Sequence, residues 1–89
     1  MSSTYRLRTL GLTWRELGDA LVVLDLTESV YLSVSGAGRV IWSRLAEGTA
    51  TLEQLVTAVL EQYEIDPETA RADAESFLHE LSRRKLLAG

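Results

Sequence analysis

An α+β fold is expected, a three-stranded antiparallel meander followed by three helices, because three patterns succeed one another along the 89 residues. Three stretches rich in β-branched and aliphatic side chains, at 13–17, 20–26 and 30–34, are separated only by Gly18-Asp19 and Thr27-Glu28-Ser29, spacings that suit hairpins. From Gly36 onward the apolar period switches from two to about 3.6 and stays there. Helix start signals then recur at Thr51 and at Asp66-Pro67, dividing the remainder into three helices.

Each element follows from its residues. Residues 2–4 read as a frayed terminus. Residues 5–10 alternate weakly, with Tyr5 and Leu7 on one side and Arg6 and Arg8 on the other, and are expected to form a short edge strand. The turn at Gly18-Asp19 pairs strand 13–17 antiparallel with strand 20–26, which is apolar almost throughout and is therefore expected at the centre, covered on both faces. In the third strand Val30, Leu32 and Val34 face one way and Tyr31 and Ser33 the other, leaving one bare edge. Ser35 is the expected N-cap of a first helix reaching about Ala46, with Ala37, Val40, Ile41 and Leu45 inward and Gly48 ending it. Thr51-Leu52-Glu53-Gln54 is a capping box, and Leu52, Leu55, Val56, Val59, Leu60 and Tyr63 line one face of the helix it opens. Asp66 caps and Pro67 starts a last helix with Ala70, Ala74, Phe77, Leu78 and Leu81 on one stripe, acids at its beginning and Arg83, Arg84 and Lys85 at its end, as the macrodipole favours.

Composition narrows what such a fold does. Eighty-nine residues make one domain, 1–89, with a single modest core and little room for a deep catalytic cavity. The absence of cysteine excludes disulfides and thiolate metal sites. No stretch has the length of a signal-peptide core or a membrane span, so the chain is expected in the cytoplasm, away from membranes. His79, the single histidine, has no second histidine or cysteine to share a metal, and Ser33, Ser35 and Ser43 have no paired base. Gly36-Ala37-Gly38 lacks the longer glycine fingerprint of a phosphate loop and reads as a strand-to-helix turn. No catalytic residue, metal ligand or cofactor is expected, and the protein reads as a holder of ligands rather than an enzyme. Asp25, a carboxylate inside an apolar strand, is expected to accept turn amides near Thr27. Trp42 reads as packing and Trp14 as half-exposed on an outer strand.

Leu24-Asp25-Leu26, Tyr31-Leu32, Ser35-Gly36-Ala37-Gly38, Ile41-Trp42, Leu52-Glu53-Gln54-Leu55 and a final Phe77-Leu78 with Leu81 resemble, in order and spacing, the small proteins of the coenzyme PQQ synthesis protein D type. The resemblance spans 14–87, and it departs from the family at Ser35, often Asn there, and at Leu32, often aromatic. These proteins are also called RiPP recognition elements, and the resemblance implies binding of the leader of a ribosomally made precursor peptide. It places the leader along the third strand, in the cleft beside the last helix; Val30, Leu32 and Val34 or their opposite-face neighbours Tyr31 and Ser33 are expected to form one wall, and Asp73, Ala74, Phe77 or Glu80 of the last helix the other. A free-standing short version resembles the leader-binding protein of lasso-peptide systems, which serves a separate leader peptidase and a cyclase. The alternatives are a coenzyme PQQ-type chaperone presenting its peptide to a radical enzyme, and an adaptor whose apolar edge binds no peptide. The residues themselves point the same way, since unpaired strand amides bind an extended peptide by strand addition. A monomer is expected when the edge is unoccupied.

Three strands and three helices also resemble a winged helix-turn-helix, which would suggest nucleic acid. A phosphate-binding face needs clustered cations, whereas this chain carries a formal net charge of -4, and Asp66, Glu68, Asp73, Glu75 and Glu80 run along the candidate recognition helix. No nucleic-acid partner is expected.

Overall fold

The computed structural model describes residues 3–88, so the expected frayed terminus at 2–4 falls partly outside them. Strands β2 (Leu12–Leu17), β3 (Ala20–Asp25) and β4 (Val30–Ser35) form the meander in the order β2-β3-β4, followed by α1 (Ala37–Ala46), α2 (Leu52–Gln62) and α3 (Pro67–Arg83). The α+β expectation holds. Leu17 pairs with Ala20 across the two-residue loop, where Gly18 takes φ 63°, a left-handed conformation that glycine adopts without steric cost.

The central strand is covered on one face rather than two. Leu21, Val23 and Asp25 are buried, while Leu24 is 45% exposed and Leu26, just past the strand, 63% exposed. The run of apolar residues concealed this alternation, because its outward members are as hydrophobic as its inward ones. Register carries the same division across the sheet. Leu32 and Val34 pair with Val23 and Leu21 on the inner face, and Tyr31 pairs with Leu24 on the outer one. Trp14, opposite Val23, lies on the inner side and meets the fully buried Trp42 edge to face, ring centroids 5.5 Å apart at 78°.

The helices close over that inner face, burying Ile41, Trp42, Leu45, Leu55, Val59, Leu78 and Leu81 against Leu21, Val23 and Val34. The capping box of α2 forms as its sequence implies, the Gln54 amide donating to Thr51 Oγ1 at 3.2 Å and the Thr51 amide to Gln54 Oε1 at 2.9 Å. Ser35 does not cap α1. It is the last residue of β4, and Gly36 takes the N-cap position at φ 60° and ψ -138°, with no side-chain cap bond. A turn this sharp needs glycine's backbone freedom more than a hydroxyl acceptor. Asp66 likewise occupies the N-cap of α3 without a side-chain bond, with Pro67 at the helix start as expected.

The segment expected as an edge strand at 5–10 does not join the meander. Only Thr4–Tyr5 is a strand, β1, and it pairs with the short β5 (Ala50–Thr51) between α1 and α2. Beyond it Leu7 bridges Leu87, the Arg8 amide donates to the Leu86 carbonyl at 2.8 Å, and the Ala88 amide donates to the Arg6 carbonyl at 2.9 Å. The start of the chain therefore straps the end of α3. Leu7 and Leu86 are both buried, which is what the alternation of Leu7 against Arg6 and Arg8 serves.

Candidate functional site

Two adjoining cavities run between β4 and α3, sharing Leu32. β4 pairs with β3 alone among the described residues, so its other edge faces this groove with its peptide groups unpaired by any strand. The cavity at the Val30 end, about 350 Å³, has Val23, Val30, Leu32 and Leu86 as apolar walls and takes in Tyr31, with Arg83, Arg84 and Lys85 from the end of α3. The cavity at the Ser35 end, about 540 Å³, is lined by Leu32, Ser33 and Val34 on one side and Asp73, Phe77 and Glu80 on the other, with Gly38 of α1 between them. Glycine there is a packing requirement. A Cβ on Gly38 would lie 2.9 Å from Val34 Cγ1 and 3.1 Å from Phe77 Cε1, so the close approach of α1 is what seats the Phe77 ring.

The structure thus brings together eight of the nine residues expected at the groove. Ala74 is the exception. It is fully buried in the core and lines neither cavity. Its small side chain lets α3 pack closely, and the groove is reached by its neighbours Asp73 and Phe77 instead.

The floor of the first cavity holds a group whose partner is far away in sequence. Asp25 is 5% exposed, and its Oδ1 accepts from the Thr27 amide at 3.0 Å and the Glu28 amide at 3.3 Å, the turn bonds expected of it. The same oxygen also accepts from Arg8 Nη2 at 2.7 Å. Arg8 reaches further, donating from Nε to the Leu10 carbonyl, from Nη1 to the Lys85 carbonyl and from Nη2 to the Gly11 carbonyl. One guanidinium therefore ties the strap, the β3–β4 turn and the end of α3 into a single base under the cavity. An isolated carboxylate in an apolar strand signals that such a partner exists, but nothing in the spacing identifies which of the nine cations it is.

The Arg8 hydrogen bond holds the Asp25 carboxyl below the usual carboxylate range, burial pushes the other way, and the Glu28 and Thr27 amides add to the lowering. Arg83 and then Arg84 lower Glu80 likewise, each by a side-chain hydrogen bond. A carboxyl whose folded pKa is depressed contributes stability that is complete above its unfolded value, near 4, and is lost as pH falls through the folded one. Thermal unfolding followed from pH 7 down to about 2.5 should show the melting temperature falling below pH 4. Arg8→Met should lower the melting temperature at neutral pH and flatten that acid limb, because Asp25 then titrates closer to its unfolded value. An acid limb as steep as that of the parent protein would show that the Arg8 bond does not depress Asp25.

Among the described residues no three His, Asp or Glu side chains converge as metal ligands, and His79 is exposed on α3. Among the described residues no helix is long and apolar enough to cross a membrane.

Comparison with known proteins follows this geometry closely. The family model for coenzyme PQQ synthesis protein D (PqqD) matches residues 20–87. The chain belongs to the PqqD family. A solved structure of TbiB1 in complex with the TbiA(beta) leader peptide is 30% identical and superposes with a TM-score of 0.82, covering 94% of this chain and 95% of that one. A lasso peptide synthetase B1 complexed with the leader peptide superposes at 0.79 over 96% and 98% of the two chains, and at 19% identity that likeness speaks to the fold. No curated protein matches the sequence significantly. The PqqD match begins at Ala20, so β3, β4, the three helices, the cavity at the Ser35 end and all of the lining of the other except Arg8 fall inside it, whereas β2 and the strap carrying Arg8 precede it.

Proposed function

We propose that residues 1–89 act as one domain that binds the leader segment of a ribosomally made precursor peptide by adding a strand to the free edge of β4. The observation that carries this reading is the unpaired β4 edge facing α3 across a groove long enough for an extended chain. The leader complex of TbiB1, similar over nearly its whole length, supports it. The bound peptide is then passed to a separate leader peptidase and a cyclase of the lasso type, in the cytoplasm. The chain performs no chemistry on the peptide and needs no cofactor. Val30, Tyr31, Leu32, Ser33 and Val34 supply the docking strand, with Asp73, Phe77 and Glu80 opposite.

The test uses the leader of any short precursor reading frame found beside this chain's gene. Added to the isotopically labelled protein, it should slow hydrogen exchange at alternate amides of β4, those on the free edge, and leave β2 amides unchanged. The precursor incubated with pure protein should keep its mass. Protection confined to the β2 edge would move the site to the other side of the sheet, and a cleaved or cross-linked product would make the protein an enzyme.

A further inference from the structure

We infer that the groove sorts peptides by charge along its length, placing acidic ligand residues at the Val30 end of β4 and basic ones at the Ser35 end. This rests on the peptide-binding reading above and adds to it the chemistry of the ligand.

The charges are segregated by the way α3 lies along β4. Its C-terminal end faces Val30 and its middle faces Val34 and Ser35. At the Val30 end Arg8 and Asp25 neutralise each other at 2.7 Å. Arg83 and Arg84 both bind Glu80, each at 2.7 Å, so two cations share one carboxylate and a positive charge remains. Lys85 is in no ion pair among the described residues and adds a second, against a single exposed carboxylate, Glu28. The Ser35 end is the reverse. Asp73 is exposed and in no ion pair among the described residues, and no cation lines that cavity.

Glu80, which lines the Ser35-end cavity, is taken up by Arg83 and Arg84 of the other end, and distance separates the charges that remain. Five strand steps separate Val30 from Ser35, roughly 17 Å at about 3.4 Å per residue, or some two Debye lengths at physiological salt. A ligand side chain therefore feels the charges beside it and little of those at the far end. A strand added here satisfies its main-chain bonds in either direction, so local charge has leverage over which segment of a peptide settles where.

The experiment is selection of a random twelve-residue peptide library on the full chain at low salt and at about 1 M salt, where the Debye length falls to about 3 Å. The parent protein should enrich peptides with acids gathered toward one end and bases toward the other at low salt, and lose that pattern at high salt. The pair Arg84→Gln with Lys85→Asn, asparagine being tolerant of the left-handed backbone at position 85 (φ 60°), should erase the acidic preference and keep the basic one. Asp73→Asn should do the reverse. Selected peptides made synthetically should lose about threefold to fivefold in affinity for each charge removed, the range of an exposed ion pair. A nitroxide on the acidic end of a selected peptide should broaden the Val30 and Tyr31 amides. All variants are first shown to keep the parent's circular dichroism and melting temperature.

Enriched peptides without charge segregation, or pools indifferent to these substitutions, would overturn the charge reading and leave peptide binding intact. So would broadening at Ser35 in place of Val30. A library from which nothing is enriched would overturn the peptide-binding reading itself.

Discussion

Of Tyr31→Pro and Leu32→Pro, one should fold almost as stably as the parent and lose leader binding by at least about 30-fold, while the other should unravel the β3–β4 ladder. In an antiparallel pair, successive residues of a strand direct their N–H groups alternately toward the partner strand and away from it. β4 has β3 on one side and the groove on the other, so of two adjacent positions one donates inward and the other outward. Proline removes the donor and places ring atoms where it stood, which an edge strand tolerates only on its open side. The outward variant leaves a carbonyl of the docked peptide unpaired and obstructs its approach, together about 2 kcal/mol or more, hence the 30-fold. Tyr31→Ala and Leu32→Ala separate loss of the side chain from loss of the amide. Titration of labelled leader against the four variants, each checked by far-UV circular dichroism, makes the measurement. A folded proline variant that binds like the parent would sink strand addition at β4.

Phe77→Ala should weaken the leader by more than tenfold, and Glu80→Ala by less than about fivefold with a changed salt dependence. Phe77 is half-buried, with one edge against Gly38 and the rest lining the larger cavity, so it offers apolar area to a ligand while held in place by α1. Burial of such a ring against a ligand is worth roughly 2 kcal/mol. The Glu80 carboxylate is already occupied by Arg83 and Arg84, and its loss mainly frees those cations at the rim. Phe77 also packs against the core, so the comparison holds for variants with native circular dichroism. Phe77→Ala folded and binding as before, with Glu80→Ala inert to leader, would mean a polar groove.

Much of this site is legible in the sequence because it sits on regular elements. Period-two alternation puts Val30, Leu32 and Val34 on one face of a strand, and period 3.6 puts Phe77 beside Leu78 and Leu81, so both walls follow from local pattern. Ala74 shows the limit of that reasoning. It shares the stripe with Phe77, but one residue of rotation separates packing under the sheet from facing the groove, and periodicity does not resolve so small an angle. Gly36 was concealed for a different reason: the residue that looks like a cap, Ser35, is needed as strand, and the turn that follows is set by backbone torsion. The base beneath the first cavity was out of reach altogether. Arg8 and Asp25 lie 17 positions apart with a hairpin strand between them, and Leu86 is held by residues at the opposite end of the chain. Such contacts leave only the mark of an acid in an apolar run or a leucine between arginines.

The strap has a kinetic consequence. Leu7 meets Leu87 across 80 positions of sequence, so the bridge forms only after nearly the whole chain has been gathered, and the entropy of closing so long a loop is recovered last. By the same logic it is expected to open at a free energy below that of global unfolding, which native-state hydrogen exchange at the Arg8 and Ala88 amides would read. Each such opening lifts Arg8 off both Asp25 and the Lys85 carbonyl, because one side chain holds them together. The cavity nearest Val30 is thus expected to loosen with the strap, while the one beneath Phe77, seated on Gly38 in the middle of the fold, has no strap residue in its lining.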